Sequence, residues 1–357
     1  MKKALKNKES IFLFLESHPG QKSTDIAENF TISRVSAYTH LQSLIDEGRV
    51  ERRGQARATR YFPISPIFSG SELLEEIQAL LSEKYGEIVS SESIIGVFRQ
   101  YMMYIDVHDM ISYGLGAFIL WCHDIRHDYR DHIPEKAVEY IDLVGSTEYL
   151  RGRHGFLDVT LPAREILKGS MEIGFDRFLI SNVSVLPHGF GSTRAALSLR
   201  YGKKNSNPVL LVDAIASSVQ PIREYVKKQS IDAIIYAPPT EGRRVQFRDV
   251  LEKILDLHIQ KIRVEKLPLS GRILEPQKNI RDKTRRIHNA LGSMMVTLPK
   301  NISILSHILI LDDSFTTGAT PNAIAVRLRE ADYIGKITII TICGSFDYDL
   351  AISEDEI

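Results

Sequence analysis

The stretch Ile308–Thr320, ILILDDSFTTGAT, decides the fold. Four apolar residues run into Asp312 and Asp313. A short loop of Ser, Thr, Gly and Ala follows, and the helical pattern PNAIAVRLREA starts directly after it. An unbroken apolar run predicts a strand covered on both faces, as in a parallel sheet. Open α/β sheets place their ligands in the loops at the carboxyl ends of such strands. Gly318 permits close backbone approach, while Thr316, Thr317 and Thr320 bring hydroxyls. Pro321 fits a first helical position, where a missing N–H costs nothing. Free amides at a helix start suit a phosphate. Two acids facing that phosphate make sense only if the ligand also carries hydroxyls or a metal.

A sugar phosphate meets both demands: loop amides and threonines take the 5′-phosphate, and paired carboxylates accept hydrogen bonds from ribose hydroxyls. On these positions the chain resembles the signature of type I phosphoribosyltransferases, which bind phosphoribosyl pyrophosphate: an apolar strand, two acids, then a Thr-Gly-x-Thr loop. An ordinary turn does not require two acids, three threonines and a glycine in this order. The resemblance implies that Asp312 and Asp313 are the catalytic pair. It implies that Ser314, Thr316, Thr317, Gly318, Ala319 and Thr320 form the ribose-phosphate loop.

At 357 residues the chain has material for two or three domains. Lys plus Arg and Asp plus Glu are 45 each, so net charge selects no partner. Cys122 and Cys343 are too few and too far apart for a disulfide framework, which fits a reducing cytosol. The start MKKALKNKES is basic, but only IFLFL follows, with no small-residue cleavage site and no run approaching a membrane span. The expectation is a soluble cytoplasmic protein with no membrane partner.

Residues 1–64 read as a winged helix-turn-helix. A first helix over ESIFLFLES ends at His18-Pro19-Gly20, and a second starts at Ser23-Thr24-Asp25 with good capping chemistry. A third runs from about Ser33 to Gly48, with Val35, Tyr38, Leu41, Leu44 and Ile45 at core spacing. This leaves Ser33, Arg34, Ser36 and His40 outward. Val50–Arg53 and Thr59–Phe62 then form a hairpin around GQARA. The order resembles winged helix domains, whose third helix reads the major groove. Arg49, Arg52, Arg53, Arg57 and Arg60 give the hairpin an electrostatic footprint for phosphates. Nucleic-acid contact is expected through Ser33, Arg34, Ser36, His40, Arg52, Arg53, Arg57 and Arg60; a protein-binding wing with solvated arginines is the alternative.

Residues 65–155 read as a helical connector or interface region. SELLEEIQALLSEKYG is amphipathic, and SSESIIGVFRQYMMYIDV and MISYGLGAFILWCHDIRHDY read as longer, more apolar helices. Phe98, Tyr101, Met102, Met103, Tyr104 and Trp121 fit a core or an oligomer interface. His123 and His127 share a helix face near Cys122 and His132, but no HExxH pairing exists, and no metal site is expected.

Residues 156–357 read as the phosphoribosyltransferase-like domain, an α/β fold on a parallel sheet. GFLDVT and FDRFLISNVSVLP are strand-like, and VLLVDAIASSVQPIREYVKKQ is helical with late basic residues. IDAIIYAPP is a second buried strand. In the family the loop after this strand holds pyrophosphate, so Gly242, Arg243 and Arg244 suit that role. The irregular segment SGRILEPQKNIRDKTRRIHNALGSM lies where the family has its closing loop, implying that Arg281, Lys283 and Arg285 clamp the pyrophosphate; a solvated charge run is the alternative.

The half most resembles the ComF-like branch. The grounds are ALSLRYGKK, Pro238-Pro239, and the spacing from Gln277 through Arg281 and Arg285 to Asn289, followed by Gly292. The branch's cysteine-rich zinc ribbon is missing, and Arg244–Phe247 matches only loosely.

The implied function is a phosphoribosyltransferase, a pentosyl group-transferring enzyme, with Mg²⁺ carried by its pyrophosphate substrate. The winged helix would tether it to DNA or to an RNA–DNA nucleoprotein. A toxin-like effector of an antiphage retron system is one form of that reading. The alternative is a transcription regulator that senses phosphoribosyl pyrophosphate without catalysis. A homo-oligomer or nucleoprotein complex is expected, and the acceptor substrate stays open.

Overall fold

A computed structural model of the chain describes residues 8, 10–12, 14, 15, 18–46, 50–54, 59–63, 70–107, 109–239, 241–266, 292–297, 299 and 302–345. The chain divides into two compact units, Met1–Ile141 and Asp142–Ile357.

In the first unit, helices α1 (Ser23–Asn29) and α2 (Arg34–Asp46) precede an antiparallel hairpin of β1 (Val50–Arg53) and β2 (Arg60–Pro63). Their core joins Ile11, Leu15, Ile26, Leu41, Leu44, Val50 and Tyr61. The inward stripe of α2 is Ala37, Leu41 and Leu44, spaced i, i+4, i+7. The expectation for Val35 and Tyr38 is corrected: they are 76% and 48% exposed. The buried Ala37 sets the inward phase of α2, one that leaves Val35 and Tyr38 outside it.

Helices α3 (Gly70–Tyr85) and α4 (Ser91–Tyr101) follow. The continuous helices expected beyond Tyr101 are also corrected. Strand β3 (Met103–Ile105) pairs with β4 (Ile111–Tyr113) before α5 (Gly114–Asp124) begins. Local bonds close this turn: Met110 N–H donates to Asp106 Oδ1, Asp106 N–H donates to Met110 O, and Gly114, at φ +73°, donates to the Met102 carbonyl. Phe98 stacks on Tyr140 at 5.1 Å between centroids, with Phe118 and Trp121 beside them, so this aromatic content is core. Helix α6 (Ile133–Tyr149) carries the chain across the boundary between the units.

The second unit is α/β around a six-stranded sheet. Its strands are β5 (Leu157–Asp158), β6 (Arg177–Val183), β9 (Ala233–Tyr236), β10 (Gln260–Lys261), β13 (His307–Phe315) and β14 (Lys336–Gly344), in the order β10-β9-β13-β14-β6-β5. All neighbours are parallel except β5, which runs against β6. Helix α7 (Thr160–Leu167) lies between β5 and β6, and between β6 and β9 come the short pair β7 (Val185–Leu186) and β8 (Gly191–Ser192) and helices α8 (Arg194–Lys204) and α9 (Pro208–Lys228). Helix α10 (Phe247–Leu255) links β9 to β10. A further antiparallel pair, β11 (Arg263–Lys266) with β12 (Met294–Thr297), precedes β13. Helix α11 (Ala319–Glu330) links β13 to β14.

The apolar run at 308–311 is fully buried, as both-face coverage requires. Leu309 and Leu311 pack with Ile215 and Ile222 of α9 and Leu251 and Leu255 of α10, while Ile308 and Ile310 lie outside that cluster. Strand alternation therefore sends Leu309, Leu311 and Asp313 to the α9–α10 face and Asp312 to the other. From β9 the chain steps outward to β10, and from β13 it steps the opposite way to β14. Strands β9 and β13 thus flank the point where the order reverses, which is where such sheets open a crevice. No described helix is long and apolar enough to cross a membrane.

Candidate active site at the ends of β9 and β13

The crevice is a cavity of about 270 Å³. Its walls come from two loops and one helix end. The β13 side supplies Asp312, Asp313, Ser314 and Thr316–Pro321; the β9 side supplies Pro238, Pro239, Glu241, Arg243, Gln246 and Phe247; α8 supplies Lys203.

Every residue expected for the ribose-phosphate loop lines this cavity. Gly318 makes the turn with φ +70°, in the left-handed region that glycine adopts without strain. A Cβ there would lie 2.8 Å from the Phe178 ring, so the loop is also pressed onto the core. Helix α11 begins at Ala319, and Asn322 N–H donates to Gly318 O at 3.0 Å. Pro321 is therefore the third helical residue and not the first, still inside the turn whose N–H groups have no intrahelical partner. Asn322 anchors the helix start. Fully buried, it accepts from Gly174 N–H at 2.9 Å and donates to Glu172 O at 2.8 Å.

Asp312 and Asp313 keep some solvent contact yet are enclosed by protein, and their electrostatics differ. Burial and the adjacent Asp313 charge push Asp312 up to about 7. Burial also acts to raise Asp313, but Lys203, the Ser314 hydroxyl and Arg243 outweigh it and hold that carboxyl below the usual aspartate range. Lys203 pairs directly with Asp313 and donates a hydrogen bond to its Oδ2. Ser314 donates to Asp313 Oδ1 at 2.7 Å, and the Asp313 N–H donates to Asp312 Oδ1 at 2.8 Å. Lys266 of β11 lies near Asp312, and burial lowers its pKa against that attraction.

In the β9 loop, Arg243 faces the cavity and pairs with Glu241 at 2.6 Å. Gln246 holds this loop with one amide nitrogen, donating to Glu241 O at 3.0 Å and Arg243 O at 3.2 Å. Gly242 and Arg244 are exposed and do not line the cavity, whereas Arg248 does. Arg281, Lys283 and Arg285 lie outside the described residues.

Sequence reasoning missed Lys203, Glu241, Gln246 and Arg248. The pattern ALSLRYGKK marked the right segment, but nothing local shows that Lys203 meets an acid 110 residues away.

In the first unit, Ser33, Arg34, Arg52 and Arg60 are exposed, while Ser36 and His40 are half-buried. The Ser33 hydroxyl caps α2 by accepting from Ser36 N–H at 3.0 Å. Arg53 turns inward: it pairs with Glu51 and Asp106 and lies 4.3 Å from the centre of the Phe62 ring. Arg60 donates to Gly20 O at 2.8 Å. Arg57 lies outside the described residues.

No known protein-family model matches the chain, and no curated protein matches it. Among the described residues no group of three or more His, Cys, Asp or Glu comes together to hold a metal ion. The cavity does offer hard oxygen donors from Asp312, Asp313, Glu241 and the threonines. Mg²⁺ fits such a site when substrate phosphates complete its coordination, since it takes one or two protein carboxylates in that setting.

Proposed function

We propose that the second unit is a phosphoribosyltransferase-like enzyme acting on phosphoribosyl pyrophosphate or a related ribose 5-phosphate nucleotide. The first unit, on this reading, is a winged helix-turn-helix that tethers it to nucleic acid or to a nucleoprotein partner. One observation carries the proposal: the acid pair, the Thr-Gly-x-Thr loop and the Arg243 loop line a single cavity at the sheet's reversal point. A toxin-like role in an antiphage retron system is compatible with such an architecture, and gene neighbourhood tests it: a reverse transcriptase alongside supports it, purine genes oppose it.

In this reading the amides and hydroxyls of Ser314–Thr320 take the 5′-phosphate, which is positioning work. Asp312 and Asp313 accept hydrogen bonds from the ribose hydroxyls and favour positive charge as it develops on the ring. The bond from the anomeric carbon to pyrophosphate oxygen breaks, and a bond to the acceptor forms. Arg243, with Gly242 and Arg244 in the same loop, receives the leaving pyrophosphate, and Arg281, Lys283 and Arg285 are the candidates to close over it. Mg²⁺ bound to pyrophosphate would supply further charge neutralisation.

The test is pyrophosphate release from phosphoribosyl pyrophosphate with Mg²⁺, wild type against Asp312→Asn/Asp313→Asn. Release that disappears in the double variant supports an enzyme. Tight binding without release, coupled to altered DNA affinity, replaces the enzyme with a sensing regulator. Absence of binding in the wild type overturns the sugar-phosphate reading itself.

A further inference from the structure

Lys203 is one of the cavity residues that the acid loop does not anticipate. It lies in the last turn of α8, and that helix is fastened in place before Lys203 reaches the cavity. Arg194 and Ser198 of α8 both bond to Asp213 of α9, Ser198 at 2.6 Å. Gly202 sits where a Cβ would be 2.8 Å from the Leu211 side chain and 3.0 Å from its backbone nitrogen, so only glycine lets the two helices approach this closely. Asn207 N–H donates to Gly202 O at 2.9 Å, and the Asn207 side chain caps α9 at Val209 N–H, 3.0 Å. The residue following Gly202 is therefore delivered from a rigid corner, and it meets Asp313.

Asp313 has charged or titratable neighbours on every side. Lys203 comes from α8, Arg243 from the β9 loop and Asp312 from its own strand; the Cys343 thiol of β14 stays neutral because burial pushes it up to about 12. Without Lys203, an anionic ligand would meet two adjacent carboxyls with Lys266 acting on Asp312 and, on Asp313, Arg243, itself engaged with Glu241. A flexible lysine on a mobile turn would be a poor answer, because ordering it on binding costs side-chain entropy. Here the turn is already fixed.

We propose that Lys203 is the positioning cation of this site, pinning Asp313 in the orientation that takes a ribose hydroxyl and offsetting one acid charge so that a sugar phosphate can enter. The inference rests on the sugar-phosphate reading above. It adds a specificity element: the site selects ligands that combine vicinal hydroxyls with a phosphate, and Lys203 makes the two requirements compatible.

The experiment measures ribose 5-phosphate binding to the full chain by calorimetry from pH 5 to 8.5, for wild type, Lys203→Met and Lys203→Arg. Lys203→Met is expected to weaken binding about tenfold or more, the scale of one lost charge-assisted contact. It also moves the acid limb of the pH profile upward, because Asp313 then takes up its proton at higher pH. Lys203→Arg restores both, which a purely structural lysine would not require. A parallel ¹³C titration of the aspartate carboxyls in ligand-free protein reads the same displacement without ligand. Wild-type binding that Lys203→Met retains, with the same pH profile, overturns this proposal alone. Absence of wild-type binding overturns the sugar-phosphate reading, and the proposal with it.

Discussion

Asp312 and Asp313 are adjacent on β13, yet alternation turns them to opposite sides of the strand and into opposed electrostatic conditions. Asp313 meets Lys203, while Asp312 meets burial and its neighbour's negative charge. This difference gives stability a pH dependence of definite sign. Asp312 has a folded pKa of about 7 against 3.8 for an ordinary aspartate, so the folded state keeps a proton the unfolded chain has lost between those values. Stability contributed through Asp312 therefore falls as pH rises through that window, and the penalty is complete above it. Asp313 acts in the reverse sense: its contribution is full above the unfolded value and is lost as pH falls through its lowered folded value. Asp312→Asn should raise the Tm of the ligand-free protein at pH 8 by about 3 °C or more, with the gain shrinking as pH falls through about 7 and vanishing below 3.8. Thermal unfolding at several pH values checks this; a gain independent of pH would refute the electrostatic account.

Gly318 joins two demands, a positive φ and contact with Phe178. Gly318→Ala adds left-handed strain and a clash with a buried ring, and should cost about 1–3 kcal/mol of stability. The Phe178 ring is tilted against Phe315 at 4.8 Å and cannot yield freely. Ribose 5-phosphate affinity should fall as well, since the displaced turn carries the amides of Thr317–Ala319. Denaturant midpoints and calorimetry on the same variant separate the two effects.

Gln246 contacts two loop carbonyls and lies beside the cavity. Two neutral hydrogen bonds contribute about 1 kcal/mol each. Gln246→Ala should therefore weaken pyrophosphate binding about 5- to 30-fold by loosening Glu241 and Arg243, while ribose 5-phosphate binding changes little. Equal losses for both ligands would mean that Gln246 supports the whole cavity and not one loop.

The sheet was readable because burial on both faces writes itself into the sequence: ILIL at 308–311, AIIY at 233–236 and ITII at 337–340 are short β-branched and apolar runs that suit strands covered on both faces. The acid loop was equally local, since its strand, turn glycine and helix start follow one another in the chain. Lys203 was not, because its meeting with Asp313 depends on how two helices pack far away in sequence. Arg244 and Arg248 illustrate the same limit: the loop's basic character was visible, but which guanidinium faces the cavity depends on the phase of α10. In the first unit, Val35 and Tyr38 misled because an alanine is one of the three residues of the inward stripe, and alanine gives little signal in a hydrophobic pattern. The hairpin at 103–113 was hidden by Met and aromatic residues that suit helix and strand alike.

Arg52 and Arg53 are neighbours on one hairpin with different tasks, and this makes the nucleic-acid expectation testable. Arg52 is exposed on the hairpin, as Arg34 is on α2. Arg53 is held inward by Glu51, Asp106 and the Phe62 ring. If the hairpin contacts phosphates, Arg52→Ala lowers affinity for duplex DNA or an RNA–DNA hybrid roughly evenly across sequences, and reduces the salt slope by about 1. Its Tm stays within the small range usual for exposed sites. Arg53→Ala leaves Glu51 half-buried without its main partner, and burial already pushes that carboxyl up. Its expected effect is lost stability of about 1–3 kcal/mol, with any loss of binding following the unfolded fraction. Salt-dependent binding titrations beside thermal melts distinguish the two residues. An Arg52→Ala protein with unchanged affinity and salt slope would turn the hairpin into a protein-facing element, and the tether would then be sought among polypeptide partners.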